Sequence, residues 1–418
     1  MSRPLGYETR QPKNNEGVKS PKILASFAGS PDGAEPLSGF DIYQGPNTNA
    51  GFGTTLMGGD ANNDGTVYGL TKGKKGAWTE SVLYAFKGAS SDDGSEPTGI
   101  TTFPAGSDYL VTTLAGGASN SGTVEAFTYE NHSFDHYFIY SFAGTPDGAN
   151  PWGPVIADRA GNLYGTTSAG GAKGAGTVYR MSPKGTSYIE TVLYSFRGGT
   201  DGDAPYASLI MDEKGALYGT TMLGGSSALG TIFKLTPSES GYTESVLYSF
   251  QGPPNDGSEP YGPLTPSDGS IALAAGGKVI GMSSSGGSQG YGVVYELTPT
   301  SSTYKESVLW NFGSTSGDGA SPYGGVCTDK KGVIYGTTEA GGSGGSSGLG
   351  TFFTLTPSGG TYKESVYSFT GANGAHPYAG PSVDSKGNLY ITTRSGGSKN
   401  EGAVLRWVLE VRVQHVCE

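Results

Sequence analysis

The side chains with chemical capacity fall at repeated positions. A string Asp-Gly-x-x-Pro begins at Asp32, Asp93, Asp147, Asp201, Asp256 and Asp318, and returns with asparagine at Asn373. The residue before its proline differs from copy to copy: Glu35, Glu96, Asn150, Ala204, Glu259, Ser321 and His376. A histidine beside carboxylates is the usual equipment for proton transfer near neutral pH. If the chain closes into a ring, copies seven, one and two are neighbours, and His376, Glu35 and Glu96 share one arc. Glu339 and Arg394, which each follow a Thr-Thr pair, extend the arc into a candidate site for a polyanion or uronate with an acid and a base. The plainer reading is a solvated polar rim, because exposed charges seldom do anything specific.

The residue after the proline reads Leu37, Thr98, Trp152, Tyr206, Tyr261, Tyr323 and Tyr378. Five consecutive copies therefore offer an aromatic. Flat rings beside polar groups suit sugar rings or a protein partner; rings that merely pack on the next repeat are the commoner use. A metal-like string, Asp60-Ala61-Asn62-Asn63-Asp64-Gly65, matches the opening of a calcium loop, with Asp60, Asn62 and Asp64 as ligands. Its ninth and twelfth positions are Tyr68 and Thr71, so the bidentate carboxylate is missing. The string fits a polar hairpin or a weak calcium site. His132 and His136 stand four apart beside Asp135, in a segment read as a loop without a third histidine.

The elements that hold these residues are short strands. Copy three contains Trp152 to Gly161, Asn162 to Thr167, Gly176 to Met181 and Glu190 to Phe196. These runs are rich in β-branched and aromatic residues and are bounded by Gly, Asp, Ser or Pro, the pattern of strands joined by turns. We call the four strands a, b, c and d. Between a and b, Asp-x-x-Gly recurs at Asp158, Asp212, Asp329 and Asp384, where Asp opens a turn and Gly supplies its positive φ. No segment sustains a helical period. Each repeat is thus a four-stranded meander that cannot bury both faces alone. Stacked in a ring, seven such sheets make an all-β, seven-bladed β-propeller. Ile23 to Phe27 matches strand d and has no a, b or c before it, while the last repeat supplies a, b and c only. The N-terminal strand is therefore expected to close the ring, with the tail Glu410 to Val416 as the competing candidate.

The phrases Val-Leu-Tyr-Ser-Phe, Asp-Gly-x-x-Pro, Leu-Tyr-Gly-Thr-Thr and Gly-Thr-Val-Tyr recur in fixed order from Ile23 to about Val408. In this the chain resembles the GloVer tandem repeat of bacterial surface or secreted proteins. The resemblance implies a propeller-like, often exported array and no assigned reaction. Two departures stand out: an insertion around Gln44 to Ala50, and Ile280 to Ser283 in place of Tyr-Gly-Thr-Thr after an insertion near Ser267 to Gly276.

Composition narrows the function classes. The net charge of −11 disfavours nucleic acid as a partner. Two cysteines, Cys327 and Cys417, make no disulfide framework. No run is long enough to span a membrane as a helix, and the first twenty residues lack the apolar stretch of a secretory signal. We expect an arm over 1–20, a single propeller over 21–408 and a tail over 409–418, in a monomer. The leading functional expectation is a non-catalytic binding or scaffold propeller. It would recognise a carbohydrate or protein on the face carrying the Asp-Gly-x-x-Pro loops, outside the cell or on its surface. The alternative is a carbohydrate-active enzyme, a polysaccharide lyase or glycoside hydrolase. Its chemistry would run at the channel mouth through His376, Glu35, Glu96 and Arg394, with the five aromatics and Glu339 binding the ligand. No cofactor is expected beyond the weak calcium.

Overall fold

In copy three, Ile156–Ala157, Leu163–Thr167, Thr177–Lys184 and Ser187–Ser195 form an antiparallel sheet in that order. Strand b is buried along its whole length, whereas strand d is half-buried, so b lies inside the ring and d at its rim. The predicted turn between a and b is present. Gly161 donates to the Asp158 carbonyl at 3.1 Å, and Asp158 Oδ1 accepts the Ala160 and Asn162 amides at 2.9 Å each.

The computed structural model describes residues 20–42, 50–103, 108–130, 133–239, 241–266, 277–301, 304–384 and 386–408. Over these the chain forms seven four-stranded sheets, the blades of a β-propeller. We number each blade by the copy of the string that precedes it. The inserted segments of blades one and five fall between strands a and b, almost entirely outside the described residues, as do nearly all of the expected N-terminal arm and the whole C-terminal tail.

Adjacent blades meet through apolar clusters. Tyr164, Val178 and Phe196 of blade three pack on Leu209, Leu217, Phe233 and Leu235 of blade four. Three parts of the repeated sequence act at that seam. The first threonine of the Thr-Thr pair donates to the next blade's inner segment, as Thr166 does to the Ala207 carbonyl at 2.8 Å and Thr337 to that of Ala379 at 2.8 Å. The second joins strands b and c, as between the Thr167 and Thr177 hydroxyls at 2.8 Å. The aspartate of the string accepts the phenol of the preceding strand d, as Asp201 does from Tyr194 at 2.5 Å and Asp256 from Tyr248 at 2.8 Å.

Closure uses the same parts. Lys22–Ser26 pairs antiparallel with Ala403–Val408 as the fourth strand of blade seven. Thr392 donates to the Ser38 carbonyl at 2.7 Å, and the Glu35 amide donates to the Glu401 carbonyl at 3.0 Å. The expected N-terminal closing strand is therefore in place.

Candidate functional site

The seven residues before the prolines share one backbone state. Glu35, Glu96, Asn150, Ala204, Glu259, Ser321 and His376 all have φ between 53° and 58°, the left-handed region that non-glycine residues rarely occupy. Each is clamped there. Its amide donates to the preceding blade, as Ala204 does to the Ala175 carbonyl at 3.1 Å and His376 to that of Leu349 at 2.8 Å. In six blades its carbonyl accepts an amide from the end of its own strand b, as from Arg394 to His376 at 3.1 Å. Residues held this way present their side chains as a ring around the axis, and the backbone is indifferent to which side chain it carries.

The string also pairs with the loop between strands b and c: Gly148–Ala149 bridges Ala169–Gly170, and Gly319–Ala320 bridges Ala340–Gly341. Both loop sets thus lie on one face. From that face the chain turns inward at the residue after the proline. These residues and those following them wall a largely apolar cavity of about 320 Å³ on the axis.

The five aromatics converge at this cavity. Tyr206 and Tyr261 stack at 4.8 Å, and so do Tyr323 and Tyr378. Tyr261 meets Trp152, Tyr323 and Tyr378 edge-on at 5.9, 5.3 and 5.6 Å. Trp152 of blade three reaches Tyr378 of blade seven at 6.4 Å, so the rings span the channel instead of lying each on its neighbouring blade. Tyr261 is buried at the hub, while Trp152, Tyr206, Tyr323 and Tyr378 are partly buried. Leu37 and Thr98 close the remaining arc. Small residues permit this convergence: a Cβ on Gly153 would lie 2.5 Å from the Ser208 amide.

The charged candidates form two pairs above the rings. His376 Nδ1 lies 3.0 Å from Glu339 Oε1 and 3.0 Å from the Glu339 carbonyl. Arg394 Nε donates to Glu35 Oε2 at 3.0 Å. Each pair bridges two blades, six to seven and seven to one. Glu96 holds the equivalent place in blade two, its amide bonded to the Asp64 carbonyl at 2.9 Å. None of Glu35, Glu96, Glu339, His376 and Arg394 lines the axial cavity. The tyrosines do line it, and burial raises the hydroxyl pKa of Tyr206, Tyr261 and Tyr323 and takes that of Tyr378 to about 12. They stay protonated at neutral pH, suited to hydrogen bonding and not to proton abstraction.

The calcium-like string sits in the loop between strands b and c of blade one, and both of its aspartates accept hydrogen bonds from the protein. Asp60 Oδ1 accepts the Asn62 amide at 2.8 Å, and Asp64 Oδ1 accepts the Ser95 hydroxyl at 2.6 Å. Asn63 caps the turn by accepting the Gly58 amide at 2.7 Å, as Asn120 does for Gly116 at 2.9 Å in blade two. His136 lies in a strand, Ser133–Ser141, where the sequence reading had a loop. Asp135 and His136 alternate along that strand, so Asp135 is exposed while His136 turns inward to Glu125 at 2.5 Å. His132 lies outside the described residues. Glu125 escaped the sequence reading, although its signal is visible: it replaces the aromatic that strand c carries in five other blades.

These features define a seven-bladed propeller with an aromatic axis and a charged rim. The Gloeobacter/Verrucomicrobia repeat matches residues 105–271 and 270–415, and the chain belongs to that family. No curated protein matches the sequence. Among solved structures the chain is similar to a putative 6-phosphogluconolactonase from Bacteroides uniformis, with 12% identity, a TM-score of 0.55 and coverage of 87% of this chain and 97% of that one. It is also similar to an ancestral GH74 enzyme, at 12% identity and a TM-score of 0.57 over 94% of this chain and 52% of that one. A putative 6-phosphogluconolactonase from Bacteroides fragilis matches at 12% identity and a TM-score of 0.51, over 90% and 95% of the two chains. At such identities the likeness shows the propeller fold alone.

Proposed function

We propose that the protein is a non-catalytic binding propeller that recognises a carbohydrate on the face carrying the Asp-Gly-x-x-Pro loops, displayed outside the cell as its resemblance implies. The observation that carries this reading is the axial cluster of five aromatics beneath a charged rim. Sugar rings present axial C–H faces that pack on aromatic surfaces, and hydroxyls that need polar partners. The partly buried Trp152, Tyr206, Tyr323 and Tyr378 offer both. The His376–Glu339 and Arg394–Glu35 pairs, 3.0 Å each, supply a donor and acceptor arc at the edge, suited to an acidic sugar.

The His376–Glu339 pair favours an enzyme, because an imidazole beside a carboxylate is acid–base equipment. Against it, the axial cavity is walled without any of these charged groups. A panel of neutral and uronate polysaccharides, scored for both retention and release of product, tests the choice. Saturable binding without turnover supports the binding reading. Turnover abolished by His376→Ala establishes the enzyme. Retention of no glycan at all, with capture of a protein partner, removes the carbohydrate assignment.

A further inference from the structure

Blade two breaks the repeat at two inward positions at once. Strand c carries Tyr68, Tyr179, Phe233, Tyr295 and Phe353 at one inward position; blade two has Glu125. A glycine in strand b normally makes room for that ring, since a Cβ on Gly219 would lie 2.6 Å from the Phe233 ring. In blade two the glycine is replaced by Val111, which pairs with Glu125, so the cavity is refilled around a carboxylate. Strand d carries Glu80, Glu190, Glu244, Glu306 and Glu364 at another inward position. His136 stands there in blade two, opposite Phe127 as Glu190 stands opposite Met181.

The two exchanges meet. His136 Nε2 lies 2.5 Å from Glu125 Oε2, and the Glu125 side chain has no exposure. Asp93, 3% exposed, adds a second carboxylate from the loop between blades one and two. One ligand atom from each of the three lies within 4.8 Å of the others. The groups are already oriented from behind. Glu125 Oε1 accepts the Thr123 hydroxyl at 2.6 Å. Asp93 accepts the Tyr84 phenol at 2.9 Å and the Lys87 and Gly94 amides at 2.8 and 3.0 Å. Tyr84 and Phe127 flank the imidazole at 4.5 and 4.9 Å.

Charge sharpens the reading. Two carboxylates and one imidazole are brought together in a buried seam, an oxygen-rich set that a divalent ion completes. A divalent ion with a neutral imidazole balances the two carboxylates. One nitrogen and two oxygen donors suit a zinc site of the open kind, in which three protein ligands leave a fourth position for water. The His136 side chain, 18% exposed, supplies the way in. We propose that Asp93, Glu125 and His136 bind one zinc-class divalent ion that clamps the loop after blade one to blade two.

The full chain, stripped with chelator and dialysed, is titrated with zinc by calorimetry and followed by thermal melting. One saturable site per chain and a raised melting temperature are expected. Glu125→Gln and His136→Gln keep size and hydrogen-bonding capacity, and each should weaken zinc by about 100-fold or more. His415→Gln, in the C-terminal tail, should leave affinity unchanged. Cobalt substitution in the unaltered protein should give visible ligand-field bands without thiolate charge transfer, a readout independent of how the variants fold. A stripped protein that binds no zinc overturns the proposal and leaves a plain ion pair. So does affinity that survives both substitutions, or that disappears with His415→Gln.

Discussion

Gly402 of the last blade packs on Pro36 of the first. A Cβ placed on Gly402 would lie 2.5 Å from Pro36 Cδ, and its φ is +103°. Gly176 and Pro205 meet the same way at 2.6 Å in the middle of the chain, so the closing seam is built like the others. Gly402→Ala must therefore strain the backbone and push the blades apart, costing about 2 kcal/mol or more. Gly76, with positive φ but nothing within 4 Å, is the control, and alanine there should cost about 1 kcal/mol. Denaturant midpoints of the two variants decide the matter.

Removal of residues 1–28 takes away the strand Lys22–Ser26 and, with it, the buried Leu24 and Phe27. The ring then has an open edge and an uncovered core cluster. The melting temperature should fall by about 10 °C or more. Removal of residues 1–18 should leave it unchanged. Calorimetry of both truncations checks the pair of outcomes.

Stability should fall as pH rises. Glu190, Glu244 and Glu306 each present a buried oxygen that meets no donor. Burial, aided by the neighbouring Asp147, Asp201 or Asp256, pushes their pKa to about 7. Glu364, partly buried and beside Asp318, is pushed to about 9. A folded pKa above the unfolded value means that the native state holds more protons. The stabilisation is complete below the ordinary glutamate range near 4.5 and is lost as pH passes through 7 and then 9. The urea midpoint should accordingly be higher at pH 5 than at pH 8. Combined glutamine replacement at these four positions should flatten the profile, and a midpoint that rises from pH 5 to pH 8 contradicts the account.

The rings should separate into a structural hub and a binding edge. Tyr261 is 9% exposed and touches Trp152, Tyr206, Tyr323 and Tyr378, so Tyr261→Ala should cost about 3 kcal/mol. Joint replacement of Tyr323 and Tyr378 by alanine should weaken the glycan found in the screen by ten-fold or more while the protein stays folded. Loss of stability with unaltered affinity of the folded fraction would make these rings packing alone.

Calcium should bind the Asp60–Asn62–Asp64 loop only in the millimolar range of weak extracellular sites. Asp64 already holds the Ser95 hydroxyl at 2.6 Å, and no acidic residue stands at the ninth or twelfth position. Calorimetry checks this directly. Submicromolar affinity, or binding unchanged by Asp64→Ala, would falsify it.

Local chemistry sufficed for the frame. Strand identity, turn positions, seven copies and the orphan strand at Ile23 follow from short-range pattern, because a β-meander is built from turns a few residues long and each copy repeats the instructions. Partnership across blades was not legible. The sequence set His376, Glu35, Glu96, Glu339 and Arg394 on one arc but did not say which of them pair: the ring puts His376 against Glu339 and Glu35 against Arg394, because each residue before a proline leans on the blade preceding it. The sequence left the five aromatics open between ligand binding and packing on the next repeat; their mutual contacts across the axis, where glycines such as Gly153 let the inner segments close in, depend on closure. His136 was set beside His132 and Asp135 because they are near in sequence. Strand alternation turned it instead towards Glu125, a partner on the adjacent strand, and towards Asp93 in the loop before the blade. Contacts along one strand can be counted from the sequence; which side chains meet across a sheet and around a ring depends on register and closure, which only the folded chain decides.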